Sequence, residues 1–253
     1  MISVKNVLEN PLVNIKEQIG GFHVLEYEQD RSVGVESAMT AYYAAKMDIK
    51  KRQLFCKLDE CGGVVLQPGA MQWYAGNVQA TTGIKGVGDM VGKFMRAKAS
   101  GEAAIKPEYT GTGVLMTEPT YKHLITLDTS EWGGAIVLDD GVFCACSTNL
   151  KHKTVVRATL SSAAFGNEGL FNLGIMGNGI VVLETNCPKE ELVIVDLKDD
   201  EIRIDGGLAI AWSPSLKFTV ERSTRSLIGS AASGEGLVNV YRGTGRVMMS
   251  PVE

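Results

Sequence analysis

The apolar positions of this chain come in short bursts. Gly179-Ile-Val-Val-Leu183, Glu191-Leu-Val-Ile-Val195, Glu201-Ile-Arg-Ile204 and Leu208-Ala-Ile-Ala-Trp212 are 4 to 5 residues long, rich in β-branched side chains and separated by Gly, Asp, Asn and Pro. Runs of that length and composition read as strands. Further strands are expected at Phe22 to Tyr27, Leu54 to Lys57 and Val64 to Gln67. Asp139-Asp140-Gly141 and Asp205-Gly206-Gly207 stand between apolar runs, where hairpin turns need residues that tolerate positive φ. Residues 37 to 50 have helical propensity, but the alternation around Tyr42 and Tyr43 competes with it, and no helix is assigned there. The one helix expected lies from Asp89 to Lys98, where Met90, Val91, Phe94 and Met95 gather on one face and Lys93, Arg96 and Lys98 on the other.

A Gly-x-Gly turn recurs at a fixed pitch, as Gly111-Thr112-Gly113, Gly177-Asn178-Gly179 and Gly243-Thr244-Gly245, with 177 − 111 = 66 and 243 − 177 = 66. An acidic residue precedes each (Glu102, Glu168, Glu235), and Tyr109, Ile175 or Tyr241 stands two before the first Gly. At the same offset Leu138, Asp139, Gly141, Val142, Ser147, Leu150 and Lys151 lie over Ile204, Asp205, Gly207, Leu208, Ser213, Leu216 and Lys217. An earlier copy fits at an offset of 72, with Gly69 over Gly141, Met71 over Phe143, Asn77 over Asn149 and Val78 over Leu150. The expected fold is therefore all-β: three fused, pseudo-threefold-related repeats, roughly 21–116, 117–183 and 184–250, in one body spanning 1–253, of β-prism or double-stranded β-helix character, with a short helical insertion near residues 84 to 98.

Composition narrows function without choosing it. A net charge of −4 gives no general electrostatic reason for a nucleic-acid or anionic-membrane partner. Lys151-His152-Lys153 is too small a basic spot to change that. No stretch approaches 18 uninterrupted apolar residues, and the N-terminus offers no apolar leader, so the expectation is a cytoplasmic protein without a transmembrane segment. Five cysteines at irregular spacing make no disulfide framework. Cys144 and Cys146, two apart on a strand, could point one way toward a metal, but their counterparts are Ile210 and Trp212, or Gln72 and Tyr74, so they are read as packing residues.

No nucleophile elbow, zinc-protease helix, phosphate loop or Cys-x-x-Cys is present, and His23, His123 and His152 are scattered. Gly86-x-Gly88-x-x-x-Gly92 superficially imitates a dinucleotide fingerprint but lacks the parallel crossover that motif requires. No catalytic, cofactor or metal residues are assigned. The leading expectation is a non-catalytic, oligomeric β scaffold or interaction protein, a homo-oligomer for which a trimer is one candidate size, with Met90, Val91, Phe94 and Met95 as its interaction surface. The alternative is a module that binds a small ligand or nucleic acid in a cleft between repeats.

Gly69-Ala-Met-Gln-Trp-Tyr-Ala-Gly-Asn77, Gly101-Glu102 ahead of Tyr109-Thr-Gly-Thr-Gly113, Glu191-Leu-Val-Ile-Val-Asp196, Ala209-Ile-Ala-Trp-Ser213 and Ser233-Gly-Glu-Gly-Leu-Val238 ahead of Tyr241-Arg-Gly-Thr-Gly245 together resemble the altered-inheritance-of-mitochondria family. The resemblance implies a fold related to the tryptophan RNA-binding attenuation protein, with three such units in one chain and no established enzymatic activity. It associates the family's mitochondrial branch with inner-membrane organisation. That role is not transferred here, for want of a presequence. Nor are the attenuation protein's RNA and tryptophan sites, because no Lys and Arg set recurs in all three copies.

Overall fold

The computed structural model describes residues 2–82, 106–156, 171–222 and 237–252. Sixteen strands make up most of it, β1 (Val13–Ile19), β2 (Phe22–Tyr27), β3 (Arg52–Lys57), β4 (Val64–Leu66), β5 (Met71–Thr81), β6 (Glu108–Thr117), β7 (His123–Asp128) and β8 (Ala135–Leu138) in the first half. The second half adds β9 (Phe143–Ser147), β10 (Lys151–Val156), β11 (Phe171–Met176), β12 (Ile180–Thr185), β13 (Val193–Asp205), β14 (Ala209–Trp212), β15 (Lys217–Arg222) and β16 (Leu237–Met249). They form two antiparallel sheets. The first runs β1-β2-β3-β6-β4-β9-β12-β7 with β5 beside β6, and the second runs β10-β11-β8-β14-β16-β13 with β15 beside β16.

The first sheet nearly closes into a barrel. Glu17 on β1 accepts the backbone N–H of Thr126 on β7 at 2.9 Å and the Thr126 hydroxyl as well, so a carboxylate serves where a strand ladder would otherwise complete the ring. Lys189 binds the same carboxylate at 3.2 Å. Phe22, Leu54, Cys56, Leu66, Leu115 and Val182 of this sheet form one buried cluster, and a second joins the two sheets, with Phe143, Val181 and Leu183 from the first against Ile136, Leu138 and Ile175 from the second.

Pairings recur at the sequence offsets. Val181 pairs with Cys146, and Val247 with Trp212, both partners displaced by 66; Leu115 pairs with Tyr74, displaced by 66 and 72 in the other direction. A bulge falls beside each, at Val182/Leu183, Ala209/Ala211 and Met71/Trp73. The N–H groups of Glu118, Glu184 and Ser250 donate to the carbonyls of Ala70, Val142 and Leu208 at 2.7, 2.8 and 2.8 Å.

Several sequence expectations need correction. Gly111 and Gly243 do not reverse the chain; they lie inside the continuous strands β6 and β16, and only Gly177 sits between strands, at the β11–β12 junction. What the motif supplies is an extended backbone at positive φ, 112°, 114° and 124° at Gly111, Gly177 and Gly243. Its second glycine makes room, since a Cβ on Gly113, Gly179 or Gly245 would meet the side chain of Val78, Leu150 or Leu216 at 3.0, 3.1 or 2.9 Å. The Asp-Gly segments are corners and not hairpins: β8 and β9 belong to different sheets, and β13 and β14 each pair with β16 and not with one another. Val193–Val195 and Glu201–Ile204 are parts of one long strand, β13, whose register shifts between Leu197 and Asp200, while Glu191 ends a short 3-10 turn ahead of it.

Among the described residues two short α-helices form, α1 (Ala38–Lys46) and α2 (Leu58–Cys61). Thus 37 to 50 does contain a helix. Alanine-rich α1 buries none of its residues, so it has propensity but no apolar stripe for a pattern to reveal. The expected insertion helix with Met90, Val91, Phe94 and Met95, and Glu102, Glu168 and Glu235, lie outside the described residues.

Candidate functional site

Three places bring reactive or charged side chains together. The first is a cysteine–histidine contact that the sequence did not announce. Cys146 is the penultimate residue of the fully buried strand β9, and β10 returns past it so that His152 Nε2 comes to 3.1 Å from Cys146 Sγ, with the His152 ring edge-on to Phe143. Nucleophilic catalysis needs the thiolate. Here burial pushes the Cys146 thiol up to about 12, and desolvation, aided by Lys106, pushes His152 down to about 4. Both groups are neutral across the physiological range. The counterparts 66 residues on, Trp212 and Phe218, are stacked with centroids 5.9 Å apart, so the same geometry is filled there by two rings with no reactive atom. The contact is a packing pair. Cys144, likewise buried and pushed up to about 12, packs against the first barrel cluster as the sequence predicts.

The second place is a buried ion pair. Glu26 on β2 and Arg52 on β3 face each other in register, and Arg52 Nε and its terminal nitrogen reach Glu26 Oε2 at 2.8 and 2.7 Å. Lys50 and Lys16 lie 3.4 and 3.8 Å from Glu26 Oε1, and Arg52 also donates to the carbonyls of Lys50, Tyr121 and Asp48. His123, beside this cluster, is pushed below the usual imidazole range by burial first and by Arg52 second. Next to it, α1, the end of β2 and the segment leading into β3 enclose a cleft of about 420 Å³, with Tyr27, Tyr42, Tyr121, Ala41, Ala45 and Lys51 among its walls. Among the described residues no set of three His, Cys, Asp or Glu side chains comes together to hold a metal, and no helix is long and apolar enough to cross a membrane.

The third place is a pair of strand edges. Among the described strands β5 pairs with β6 alone and β13 with β16 alone. β9 and β14 are buried throughout, whereas β5, at the corresponding offset, alternates half-buried and exposed residues, with Tyr74 42% exposed. The arginines of β13 and β16 are paired: Arg203 with Glu201 at 2.9 Å, Arg246 with Asp196 at 2.7 Å, and Arg242 with both Glu201 and Glu221. Hydrogen bonding to Arg242 brings the Glu221 carboxyl down to about 2.

The fold and its contacts define an antiparallel two-sheet β protein. Over residues 43–252 the chain matches the family described as Mitochondrial biogenesis AIM24, and it belongs to that family. It is 28% identical over 198 residues to an uncharacterized protein of Streptococcus pyogenes serotype M6, a match that covers 75% of this chain and 77% of the relative. A crystal structure of another Streptococcus pyogenes protein superimposes with a TM-score of 0.59 at 25% identity, covering 82% of this chain and 90% of that one. The family match overturns the expectation of a cytoplasmic protein, because the family's description points to mitochondrial biogenesis. That expectation rested on reading the N-terminal residues for a leader, and where a sequence begins does not report its compartment.

Proposed function

We propose that the protein is a non-catalytic β scaffold that works by self-association, and that it is built from three copies of one β unit. The carrying observation is the pair of long strands, 13 residues in β13 and 11 in β5, that each keep one edge unpaired among the described strands. An open edge displays a row of N–H and C=O groups ready to accept another strand. The recurrence of pairings, bulges and hydrogen bonds at offsets of 66 and 72 supports the three-unit reading. The neutral Cys146–His152 pair supports the non-catalytic one, since this contact has a nucleophile's composition without the nucleophile's charge state.

The test is native mass by light scattering across a concentration series. Assembly above the 27.2 kDa chain is expected, and a monomer at every concentration would sink the reading. A second reading, a small-ligand module, is favoured by the cleft beneath α1. A co-purifying small molecule whose removal lowers the melting temperature would select it.

A further inference from the structure

The three proposed units are joined to one another by two seams of the same construction, and the third seam is open. Between the first and second units, Val65 of β4 pairs with Cys146 of β9, Leu66 pairs with Ala145, and the Gln67 N–H donates to the Cys144 carbonyl at 2.8 Å. Between the second and third, Val137 of β8 pairs with Trp212 of β14, Leu138 pairs with Ala211, and the Asp139 N–H donates to the Ile210 carbonyl at 3.0 Å. One seam maps onto the other with steps of 72 on one strand and 66 on the other.

A further step takes Val137 to Arg203 (137 + 66) and Cys146 back to Tyr74 (146 − 72), both on edges left unpaired among the described strands. The third seam would pair Arg203 with Tyr74 and Ile204 with Trp73, and direct the Asp205 N–H to the Gln72 carbonyl. β13 and β5 make no such pairing within the chain among the described residues.

We propose that this seam forms between chains: β13 of one copy adds to β5 of a second copy, in the register Arg203 opposite Tyr74, so that the protein assembles head to tail. The proposal rests on the three-unit reading. Two features favour a second copy over closure within the chain. First, the two internal seams place apolar or thiol side chains at the central pair, Val65 with Cys146 and Val137 with Trp212, all of them buried. The open edges place Arg203 and Tyr74 there, 41% and 42% exposed, residues that tolerate water when apart and attract through the cation and ring face when together. An edge that must be soluble before its partner arrives needs that chemistry; an edge sealed during folding does not. Second, the edges sit at opposite ends of the series of units, which makes the contact heterologous, and such contacts add copies in one direction until a ring closes or a filament grows.

Crosslinking tests the register directly. In a Cys61→Ser background, which removes the one partly exposed native thiol, Tyr74→Cys and Arg203→Cys are made as separate variants. Mixed and oxidised, they are expected to give a covalent dimer and nothing larger, because each copy then has one reactive edge. A chain carrying both substitutions is expected to give a ladder of dimers, trimers and higher species. Tyr74→Lys, which sets a like charge opposite Arg203, should lower the assembled mass, and adding Arg203→Glu should restore it.

Three outcomes overturn the proposal. An internal disulfide in the double variant at unchanged mass means the seam closes within the chain. No crosslink in the mixture, while the unsubstituted protein still assembles, removes this register but leaves the scaffold standing. A monomeric unsubstituted protein removes both.

Discussion

Cys146 and Trp212 occupy the same place in the strand pairing, Cys146 opposite Val181 and Trp212 opposite Val247. One is the smallest thiol and the other the largest ring, yet 0% and 3% of their surfaces are exposed. Burial at that position is what the fold demands, and thiol chemistry is incidental to it. Native protein treated with an alkylating reagent at pH 8 is therefore expected to react promptly at Cys61 alone, because Cys56, Cys144, Cys146 and Cys187 are buried. After unfolding all five should react. Mass spectrometry counts the adducts, and three or more in the native sample would contradict the packing assignment.

His152 carries a pH signature. Its folded-state value of about 4 lies below the unfolded value near 6.5, so the unfolded chain binds the proton first. Stability from this group is fully present above about pH 6.5 and is lost as pH falls toward 4. Replacing His152 by Phe, the residue its counterpart Phe218 already supplies, should flatten the stability-against-pH curve in that window. His23 and His123, both also pushed down by burial, would account for what slope remains. An unaltered slope in His152→Phe would show that the ring is solvated in the folded protein.

Gly111 should not tolerate a side chain. At φ 112° a Cβ would stand 2.2 Å from the Asn77 carbonyl oxygen across the β5–β6 pair. Gly111→Ala is expected to cost about 3 kcal/mol, combining backbone strain with displacement of a paired strand. Gly34→Ala, with nothing within 4 Å of the new atom, should lie within about 0.5 kcal/mol of the parent. Urea titration of the two variants side by side measures the contrast, and equal midpoints would refute it.

Glu26→Gln should be far worse than its size implies. It leaves the Arg52 guanidinium buried beside a neutral amide, and breaking such a pair costs about 3–5 kcal/mol. Removing both charges with Glu26→Leu and Arg52→Met should cost clearly less than the two single losses added together. Strict additivity in a double-mutant cycle would mean the charges do not sense each other.

The sequence discloses strands better than sheets. β2, β3, β4, β12 and β14 fall where apolar β-branched runs predict them, and the packing role of Cys144 and Cys146 follows from what replaces them one offset away. Pairing was another matter. Asp139-Asp140-Gly141 has the composition of a hairpin turn, but a corner between sheets requires the same positive-φ tolerance at Gly141, and the turn residues cannot say which follows.

The Glu26–Arg52 pair was hidden for a related reason. β2 is buried on both faces through Phe22–Glu26, so no alternation marks Glu26 as inward, and its partner lies 26 residues away on the next strand. The Cys146–His152 approach depends on a strand changing sheets between Ser147 and Lys151, which no local pattern encodes. Helix α1, carried by alanine and buried nowhere, gave neither period a signal.

β16 has a consequence in time. It pairs with β13, β14 and β15, every one of which precedes it in the chain. While the protein is being synthesised those three strands leave the ribosome before the strand that gathers them, and at the synthesis rates of cells that interval is on the order of seconds. During it the whole length of β13 lacks its paired strand, and Trp212, already beside Val137 and Phe218, still lacks Tyr241 and Val247. This third of the molecule is where a nascent chain is most in need of a chaperone, and where a stalled or shortened message would do the most damage.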